Sequence, residues 1–362
     1  MVSAPSLYVS SASRQSIGKT AFCIGLALKL REEGLRVSYF KPLGWRTVQI
    51  EEKSTDEDTL LMKRLLNLDA PLEVITPILL DYHYLEQYKR EEYGPLKERV
   101  VKAFESISKG VDIVIIEALH EPFLGSFMDL SVPELAKILG SCILLISSAH
   151  IDSVIDEVLF EQEQIKSEGV HCSGIVFNYV PRLQIERVKN QLAPMLGKHD
   201  MTTWGIIPEC IDITAPTVRT IAEVLEAEFL AGQDKEDLVV ENYLVGAMSP
   251  ESAIKYFRTT PRKAVITGGD RPDICLAALE TDTAAIILTG NLRPDIQVLV
   301  KADEKGVPVL LVPYDTFTTV EKLDDVTGKI RVGDSKRIGL ARDLVADYVD
   351  WRGLLAHIKK IR

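Results

Sequence analysis

Apolar and polar positions follow one another along the chain in blocks that are typical of strands alternating with helices. Short, almost continuous apolar runs predict buried parallel strands at 7–9, 35–40, 111–117, 141–147, 173–178 and 203–207. Between them, segments with helical periodicity include 21–30, 154–168, 183–196 and 218–230. This alternation predicts an α/β fold with a mainly parallel sheet and helices on both of its faces.

A second alternating block follows the first. Its predicted strands are 263–267, 284–288 and 307–312, with helices at 249–258, 273–279, 295–305 and 319–323. Residues 231–237 between the blocks are small and charged, as is typical of a linker. We therefore predict one domain at 1–230, a linker at 231–237, a smaller α/β domain at 238–325 and a mostly helical extension at 326–362.

Composition limits the kinds of protein to consider. At 362 residues the chain is too long for one ordinary core and suits two domains. The net charge of −11, with no cluster of Lys and Arg, argues against nucleic acid as a partner. Five cysteines without paired spacing predict reduced thiols. With no apolar run of about 20 residues and no signal region, we expect a cytoplasmic protein without a membrane partner.

The run Ser16-Ile17-Gly18-Lys19-Thr20 lies between the first predicted strand and an apolar helix. A phosphate loop (P-loop) occupies this place, since backbone N–H groups and the helix dipole favour an anion there. Lys19 would then reach the β- and γ-phosphates of a nucleotide, and Thr20 would bind Mg²⁺. The usual pattern has a first glycine where this chain has Ser13, so an ordinary helix start with an exposed lysine is the alternative.

Polar residues end three of the predicted strands, and ligands of open α/β sheets collect at the carboxyl ends of strands. Lys41 is a candidate partner for phosphate or an acidic substrate, or else a solvated edge lysine. Glu117 is a candidate Mg²⁺ ligand in the Walker-B role, or else a plain strand terminus. Asn178 carries an amide whose donor and acceptor suit the edge of a base.

An acidic cluster precedes the leucine-rich helix near residue 60. Asp56 and Asp58 either cap that helix at its amino terminus or turn into the site as Mg²⁺ ligands. Both alternatives stay open at this point.

In the second block three strand ends carry small and polar residues. They comprise Gly268, Gly269, Asp270, Arg271, Thr289, Gly290, Asp315 and Thr316. Adjacent glycines permit close approach of a ligand or of a partner backbone, which suggests a pocket or an interface. Tight turns combined with dimer contacts are the alternative.

With these motifs in this order, the chain resembles dethiobiotin-synthetase-like P-loop NTPases joined to a DRTGG domain. More closely, it resembles the N-terminal regulatory half of long phosphotransacetylases, of which free-standing forms exist. The matching segments are Ser16–Thr20, Phe40-Lys41-Pro42, Ile115-Ile116-Glu117, Asn178, Gly205–Glu209, Ile266–Asp273, Leu288-Thr289-Gly290 and Pro313–Thr316. The resemblance implies catalytic roles for Lys19 and Lys41, and nucleotide contacts at Asn178, Pro208 and Glu209.

The chain departs from the synthetases where their substrate binds. Their phosphate loop has glycine at the position of Ala12 and aspartate at that of Arg14. Their Glu-Gly-Ala-Gly-Gly segment is Glu117-Ala118-Leu119-His120-Glu121 in this chain, without the glycines that let a substrate lie against the backbone. The residues that would contact nucleotide and Mg²⁺ are therefore kept better than those that would contact the second substrate.

Two functional hypotheses follow. The first is a regulatory or scaffold protein that binds Mg²⁺ and ATP with little or no turnover, senses nucleotide or dimerises through its second domain, and serves a metabolic enzyme as partner. The second is an ATP-dependent synthetase or ligase that phosphorylates a carboxylate or a carbamate. We expect a homodimer held by the second domain, because three predicted strands form a sheet too small to bury both faces.

Overall fold

Strands and helices alternate through most of the chain, as the apolar pattern predicts. The computed structural model describes residues 4–12, 17–45, 48–50, 53–81, 83–88, 93–324, 330–331 and 333–361. The strands are β1 (Ser6–Ser11), β2 (Val37–Phe40), β3 (Leu43–Trp45), β4 (Val48–Ile50), β5 (Lys53–Thr55), β6 (Ile78–Leu80), β7 (Ile113–Glu117), β8 (Cys142–Ser147), β9 (Cys172–Val180), β10 (Thr203–Pro208), β11 (Glu228–Ala231), β12 (Asn242–Val245), β13 (Lys263–Gly268), β14 (Thr283–Thr289) and β15 (Val309–Leu311). The helices are α1 (Lys19–Glu32), α2 (Glu57–Leu65), α3 (Leu72–Ile75), α4 (Tyr84–Gln87), α5 (Tyr93–Ile107), α6 (Val132–Leu139), α7 (Val154–Ser167), α8 (Ile185–Arg187), α9 (Ala193–Gly197), α10 (Ile211–Thr214), α11 (Val218–Val224), α12 (Pro250–Thr259), α13 (Pro272–Leu279), α14 (Ile296–Lys305), α15 (Thr316–Asp324), α16 (Ser335–Tyr348) and α17 (Trp351–Ile361).

The chain forms two compact units. Unit 1 contains Met1–Glu209 together with Ile330–Arg362, and unit 2 contains Cys210–Lys329. Unit 1 is built on a six-stranded sheet in the order β10-β9-β8-β1-β7-β2. Every neighbouring pair in this sheet is parallel. The predicted mainly parallel α/β fold is therefore confirmed.

The boundaries of the units differ from the predicted domain limits. The helix predicted at 218–230 ends at Val224, and Glu228–Ala231 forms a strand that pairs antiparallel with β15. The predicted linker 231–237 therefore begins inside a strand of unit 2, and unit 2 starts at Cys210. The predicted extension at 326–362 is also corrected, because its helices α16 and α17 belong to unit 1.

Helix α1 is covered on both sides, which explains why its sequence is apolar around its whole circumference. One side contacts strands of the sheet, and α16 packs along the other. A Cβ atom on Gly25 would collide with the carbonyl oxygen of Ala341 and lie 2.6 Å from Cγ2 of Val345. Beyond α16, Val349 forms an antiparallel bridge to Gly205 of β10. The carboxyl-terminal helices are thus part of the unit 1 core.

Unit 2 has a five-stranded sheet in the order β11-β15-β14-β13-β12. All its pairs are parallel except that of β11 with β15. Apolar clusters cover both faces, one including Val265 and Ile286, the other Ile266 and Ile287. The expectation of a three-stranded sheet with an open face is therefore wrong, because β11 and β12 extend the sheet and the unit buries 284–288 by itself.

The cysteines are unpaired, as their spacing predicts. Cys23, Cys142 and Cys275 are buried, whereas Cys172 and Cys210 are partly accessible. Among the helices of the described residues, none combines the length and the apolar character that crossing a membrane requires.

The contact between α1 and α16 generates a test. Gly25→Ala should reduce the free energy of unfolding of unit 1 by about 2 kcal/mol, since the added methyl has no space against Ala341. Gly339→Ala is the matched control within α16: its Cβ would have no neighbour within 4 Å, and alanine favours a helix interior by about 0.5–1 kcal/mol. All three tryptophans lie in unit 1, so urea denaturation followed by tryptophan fluorescence reports on this unit. Equal stability of Gly25→Ala and wild type would contradict the close packing.

Candidate functional site

Most of the predicted site residues of unit 1 meet at the carboxyl edge of its sheet. β1 lies between β8 and β7, and β2 follows β7 at the edge of the sheet. Because the strands are parallel, their carboxyl ends lie side by side. The amino terminus of α1, Glu117 at the end of β7, and Lys41 directly after β2 are brought together in this way.

Gly18 forms the amino-terminal cap of α1. Its φ of 70° lies in the left-handed region that glycine adopts readily. A Cβ atom there would lie 2.7 Å from Nδ2 of Asn178, and that nitrogen donates a 2.8 Å hydrogen bond to the carbonyl oxygen of Ile17. Asn178 therefore fastens the end of the loop to β9. The predicted nucleotide contact at Ser16 lies outside the described residues.

Lys19 is almost fully buried, in contrast to the exposed helix-start lysine of the alternative interpretation. Its Nζ donates to Ser11 Oγ at 3.4 Å and to the carbonyl oxygen of His120 at 3.5 Å. Burial lowers the pKa of Lys19 to about 8, although Glu117 opposes this effect. Both hydrogen bonds are long, so they offset only a small part of the free energy that the ammonium group loses when it is removed from water.

Glu117 is held by two hydroxyl groups. Thr20 Oγ1 donates to Oε1 at 2.6 Å, and Tyr39 Oη donates to Oε2 at 2.8 Å. Burial and the neighbouring Asp58 carboxylate raise the pKa of Glu117 to about 7, whereas Lys41 and the two hydroxyls act in the opposite direction. Burial and Asp58 together therefore favour the neutral form of this carboxyl group.

Lys41 lies in a buried ion-pair cluster, not at a solvated edge. Its Nζ is 2.9 Å from Asp56 Oδ1 and 2.5 Å from Asp58 Oδ2. Burial lowers the pKa of Lys41, but the carboxylates of Asp56, Asp58 and Glu117 outweigh that effect and raise it above its usual value. Lys41 is therefore a permanent cation beside Glu117.

The two aspartates have different roles. Asp56 is buried and caps α2, accepting from the backbone N–H of Thr59 at 3.1 Å and from that of Trp45 at 3.0 Å. Its oxygens are thus already used by the fold. The side chain of Asp58 is 31% exposed and influences the pKa of Glu117. Of the two alternatives, capping describes Asp56, whereas a metal contact at Asp58, which pairs with Lys41, stays a prediction.

Pro208 ends β10 and Glu209 follows it, on the far side of β9 from the phosphate loop. Pro208 is buried and pairs with Val180, and the backbone N–H of Glu209 donates to the carbonyl oxygen of Val180 at 2.9 Å. The side chain of Glu209 is exposed. Their predicted contact with nucleotide stays a prediction.

Sequence reasoning did not identify Tyr39 and Trp45 as parts of the site. Trp45 Nε1 donates to Nδ1 of His120 at 3.1 Å, and their rings stack with centroids 5.7 Å apart. The carbonyl oxygen of His120 accepts from Ser11 Oγ at 2.7 Å. The available signal for Tyr39 was its position two residues before Lys41, near the carboxyl end of a buried strand.

In unit 2 the predicted residues lie at the carboxyl edge of the second sheet. A Cβ atom on Gly269 would collide with the carbonyl oxygen of Leu292, so packing within the unit requires this glycine. Hydrogen bonds join the neighbouring strand ends. Thr289 Oγ1 and Thr316 Oγ1 lie 3.1 Å apart, and the Gly290 N–H donates to the Tyr314 carbonyl oxygen at 2.7 Å. Arg271 Nη2 donates to the Met248 carbonyl oxygen at 3.0 Å, and the Thr318 N–H donates to Asp315 Oδ1 at 2.8 Å. Gly268 adjoins the exposed Asp270. These bonds support turn chemistry, while a pocket or interface stays a prediction.

A cavity of about 230 Å³ lies at the opposite, amino-terminal edge of the unit 1 sheet. Ser6, Cys142 and His171 line it, with Ile358 of α17. None of the predicted site residues borders this cavity, so the cavity is separate from the carboxyl-edge site.

The parallel sheet, the glycine-capped α1 and the buried lysine at its first position define a P-loop NTPase-type unit. Comparison with known families agrees with this class. The sequence model of the AAA domain matches residues 6–217, and the chain belongs to this family. The model of the DRTGG domain matches residues 220–326, inside unit 2. The suspected fusion of a dethiobiotin-synthetase-like module with a DRTGG domain is thereby confirmed.

Similar sequences include enzymes of two kinds. A phosphate acetyltransferase of Pseudomonas putida is 25% identical over 358 residues, covering 92% of this chain and 49% of that protein. An ATP-dependent dethiobiotin synthetase of Methanocaldococcus jannaschii is 28% identical over 173 residues, covering 46% of this chain and 77% of that protein. The chain spans about half the length of the phosphate acetyltransferases that it matches.

One similar solved structure contains the CBS and DRTGG domains of the regulatory region of a Clostridium perfringens pyrophosphatase, complexed with the activator diadenosine tetraphosphate. It is 22% identical and covers 33% of this chain and 49% of that one, with a TM-score of 0.28. A likeness at this TM-score carries no conclusion about function.

The different surroundings of the two aspartates generate a test. Asp56→Ala should reduce the free energy of unfolding by about 3 kcal/mol, because it removes a cap and one partner of the buried Lys41. Asp58→Ala should reduce it by only about 1 kcal/mol, since Lys41 keeps Asp56. Urea denaturation followed by tryptophan fluorescence measures both values. A larger loss of unfolding free energy in Asp58→Ala than in Asp56→Ala would show that Asp58 supports the fold.

Proposed function

We propose that unit 1 binds ATP together with Mg²⁺ and acts as a regulatory or nucleotide-sensing unit. The observation that carries this proposal is the convergence of Lys19, Thr20 and Glu117 at the carboxyl edge, joined by Lys41. Phosphate would favour the charged form of Lys19, whose pKa burial lowers. A cation would favour the charged form of Glu117, whose pKa burial raises. A nucleotide that carries Mg²⁺ supplies both the phosphate and the cation.

The donors suit Mg²⁺, which prefers oxygen ligands and is usually bound by one or two carboxylates together with the phosphates of a substrate. Among the described residues, no group of three or more His, Cys, Asp or Glu side chains could hold a metal by itself. Thr20, Glu117 and Asp58 would hold the ion jointly with the nucleotide. There it would neutralise charge on the phosphate oxygens.

A regulatory role is favoured over synthetase activity by the loop after β7. Ala118 and His120 stand where dethiobiotin synthetases have glycines that accommodate a substrate, and Ala118 is buried. The carbonyl oxygen of His120 accepts from Ser11 and Lys19, and its ring is stacked on Trp45. This loop therefore lies against Lys19 without the glycines that accommodate the second substrate of the synthetases. The names of the relatives do not identify a protein that this regulatory unit would control. We infer that this partner is a metabolic enzyme.

The proposal predicts that Mg²⁺ with ATP raises the melting temperature and that Lys19→Ala abolishes the rise. At a ligand concentration of about 100 times Kd, binding stabilises the native state by roughly 2.7 kcal/mol, which corresponds to a shift of several degrees. Lys102→Ala removes an exposed lysine of α5 and is the control, with an unchanged shift. Differential scanning fluorimetry measures all three proteins.

Two outcomes would contradict this assignment. A full shift in Lys19→Ala would locate the nucleotide elsewhere in the chain. The absence of a shift in the wild type would exclude ATP binding at this site, in line with the departures at Ala12 and Ser13.

The alternative function is an ATP-dependent ligase that phosphorylates a carboxylate or a carbamate. The similarity to a dethiobiotin synthetase over 77% of that enzyme favours it. The two functions differ in turnover: a ligase hydrolyses ATP faster when its acid or amine is added, whereas a sensor does not. Phosphate release measured across a panel of small acids and amines separates them.

We further propose that unit 2 forms a homodimer through α14. Val298 and Ala302 on one side of this helix are buried, whereas Ile296 is 70% exposed and Val300 is 54% exposed. Positions four residues apart share one helix face, so the two exposed side chains form an apolar stripe. Closed two-fold dimers are the commonest way to cover such a surface in a soluble oligomer.

This dimer proposal predicts that Ile296→Glu raises the dimer dissociation constant at least tenfold. The matched control is Ile138→Glu, which replaces an exposed isoleucine of α6 in unit 1 and should leave the constant unchanged. Light scattering over a concentration series of the full chain gives both values. A wild-type chain that stays monomeric, or a dimer that tolerates Ile296→Glu, would refute the assignment to α14.

A further inference from the structure

A fully buried tyrosine contacts the carboxylate at the centre of the site. Tyr39 is 0% exposed, and its hydroxyl donates to Glu117 Oε2 at 2.8 Å. In the register of β2 with β7, Tyr39 pairs with Ile115. Side chains alternate along a strand, so Tyr39 shares a sheet face with Ile115 and Glu117. Glu117 lies two residues further towards the carboxyl edge, within reach of the tyrosine hydroxyl.

The two oxygens of Glu117 are thereby distinguished. Oε1 accepts from Thr20, the residue that follows the phosphate-loop lysine, and Oε2 accepts from Tyr39 on the other side. A carboxylate can turn about its last bond and can bind a cation through one oxygen or through both. A hydroxyl fixed on Oε2 by a rigid strand restricts that rotation and keeps Oε1 next to Thr20.

We propose that Tyr39 is the positioning residue of the metal carboxylate. By holding Oε2 it presents Oε1 beside the Thr20 hydroxyl, so that Glu117 offers a single oriented oxygen to a divalent cation. This inference rests on the proposed function, since it concerns the same Mg²⁺ and nucleotide site. Hydrogen-bond partners that orient metal ligands typically contribute 10- to 100-fold to metal affinity.

The neighbouring strand provides a matched control. Tyr8 of β1 is also buried, at 2% exposure, and pairs with Ile116 in the register of β1 with β7. It therefore lies on the sheet face opposite to Glu117. Tyr8→Phe removes a buried tyrosine hydroxyl from the same core without touching the carboxylate, so it separates a positioning effect from a general loss of packing.

The test is a Mg²⁺ titration of ATP binding to the full chain. We expect Tyr39→Phe to require about tenfold more Mg²⁺ for half-maximal stabilisation by ATP, while Tyr8→Phe matches the wild type. Binding of ATP in the presence of excess EDTA should be the same in all three proteins. Electron paramagnetic resonance with Mn²⁺ in place of Mg²⁺ should show a changed signal of the bound ion in Tyr39→Phe alone.

A double-mutant cycle tests whether Tyr39 acts through Glu117. Metal affinity of Tyr39→Phe combined with Glu117→Gln should be no lower than that of Glu117→Gln alone, because the tyrosine then has no carboxylate to orient. Additive losses would refute the positioning role. So would a loss of ATP binding in EDTA, which would make Tyr39 a structural residue only.

The outcomes also separate this inference from the proposed function. A wild type with Mg²⁺-dependent ATP binding and a Tyr39→Phe variant with the same midpoint would overturn the role of Tyr39 and leave the function standing. A wild type whose ATP binding ignores Mg²⁺ would overturn both. Tryptophan fluorescence confirms that each variant is folded at the titration temperature, and the isosteric Phe replacement removes one oxygen atom only.

Discussion

Burial of charge at the carboxyl edge of the first sheet is the constraint on which the site depends. Lys19, Lys41, Asp56 and Glu117 are all at most 8% exposed. Removing an ion from water is costly unless a partner of opposite charge and further hydrogen bonds compensate it. Lys41 and Asp56 satisfy one another within the fold, whereas Lys19 and Glu117 have pKa values that burial shifts towards neutrality. The first pair is structural, and the second pair is the one on which the proposed nucleotide and Mg²⁺ would act.

Much of unit 1 could be predicted because its signals are local. The apolar run before Glu117 indicates a buried strand by itself, and Gly18 followed by an apolar segment indicates the start of α1. The different roles of Asp56 and Asp58 could not be predicted, because both alternatives fit an acidic cluster before a helix. Only the fold shows that the oxygens of Asp56 are used by Trp45 and Thr59.

The limits of unit 2 were harder to derive, since they depend on contacts between distant segments. Glu228–Ala231 continues the composition of the helix before it, and its strand character comes from pairing with β15. β12 is four residues long and lies at the edge of the sheet. None of its residues is buried, so its apolar run is short and does not resemble that of a central strand. In unit 2 the sequence pattern could therefore find the three central strands but not the two outer ones.

The interruption of unit 1 by unit 2 has a consequence for biosynthesis. Every residue of unit 2 leaves the ribosome before α16 does, because α16 begins at Ser335 and unit 2 ends at Lys329. Unit 2 has its own sheet and apolar clusters, so it can fold as soon as it has emerged. The side of α1 that α16 covers, by contrast, stays exposed to water until α16 has been synthesised, and during that interval the nascent chain carries an apolar helix face that a chaperone can protect.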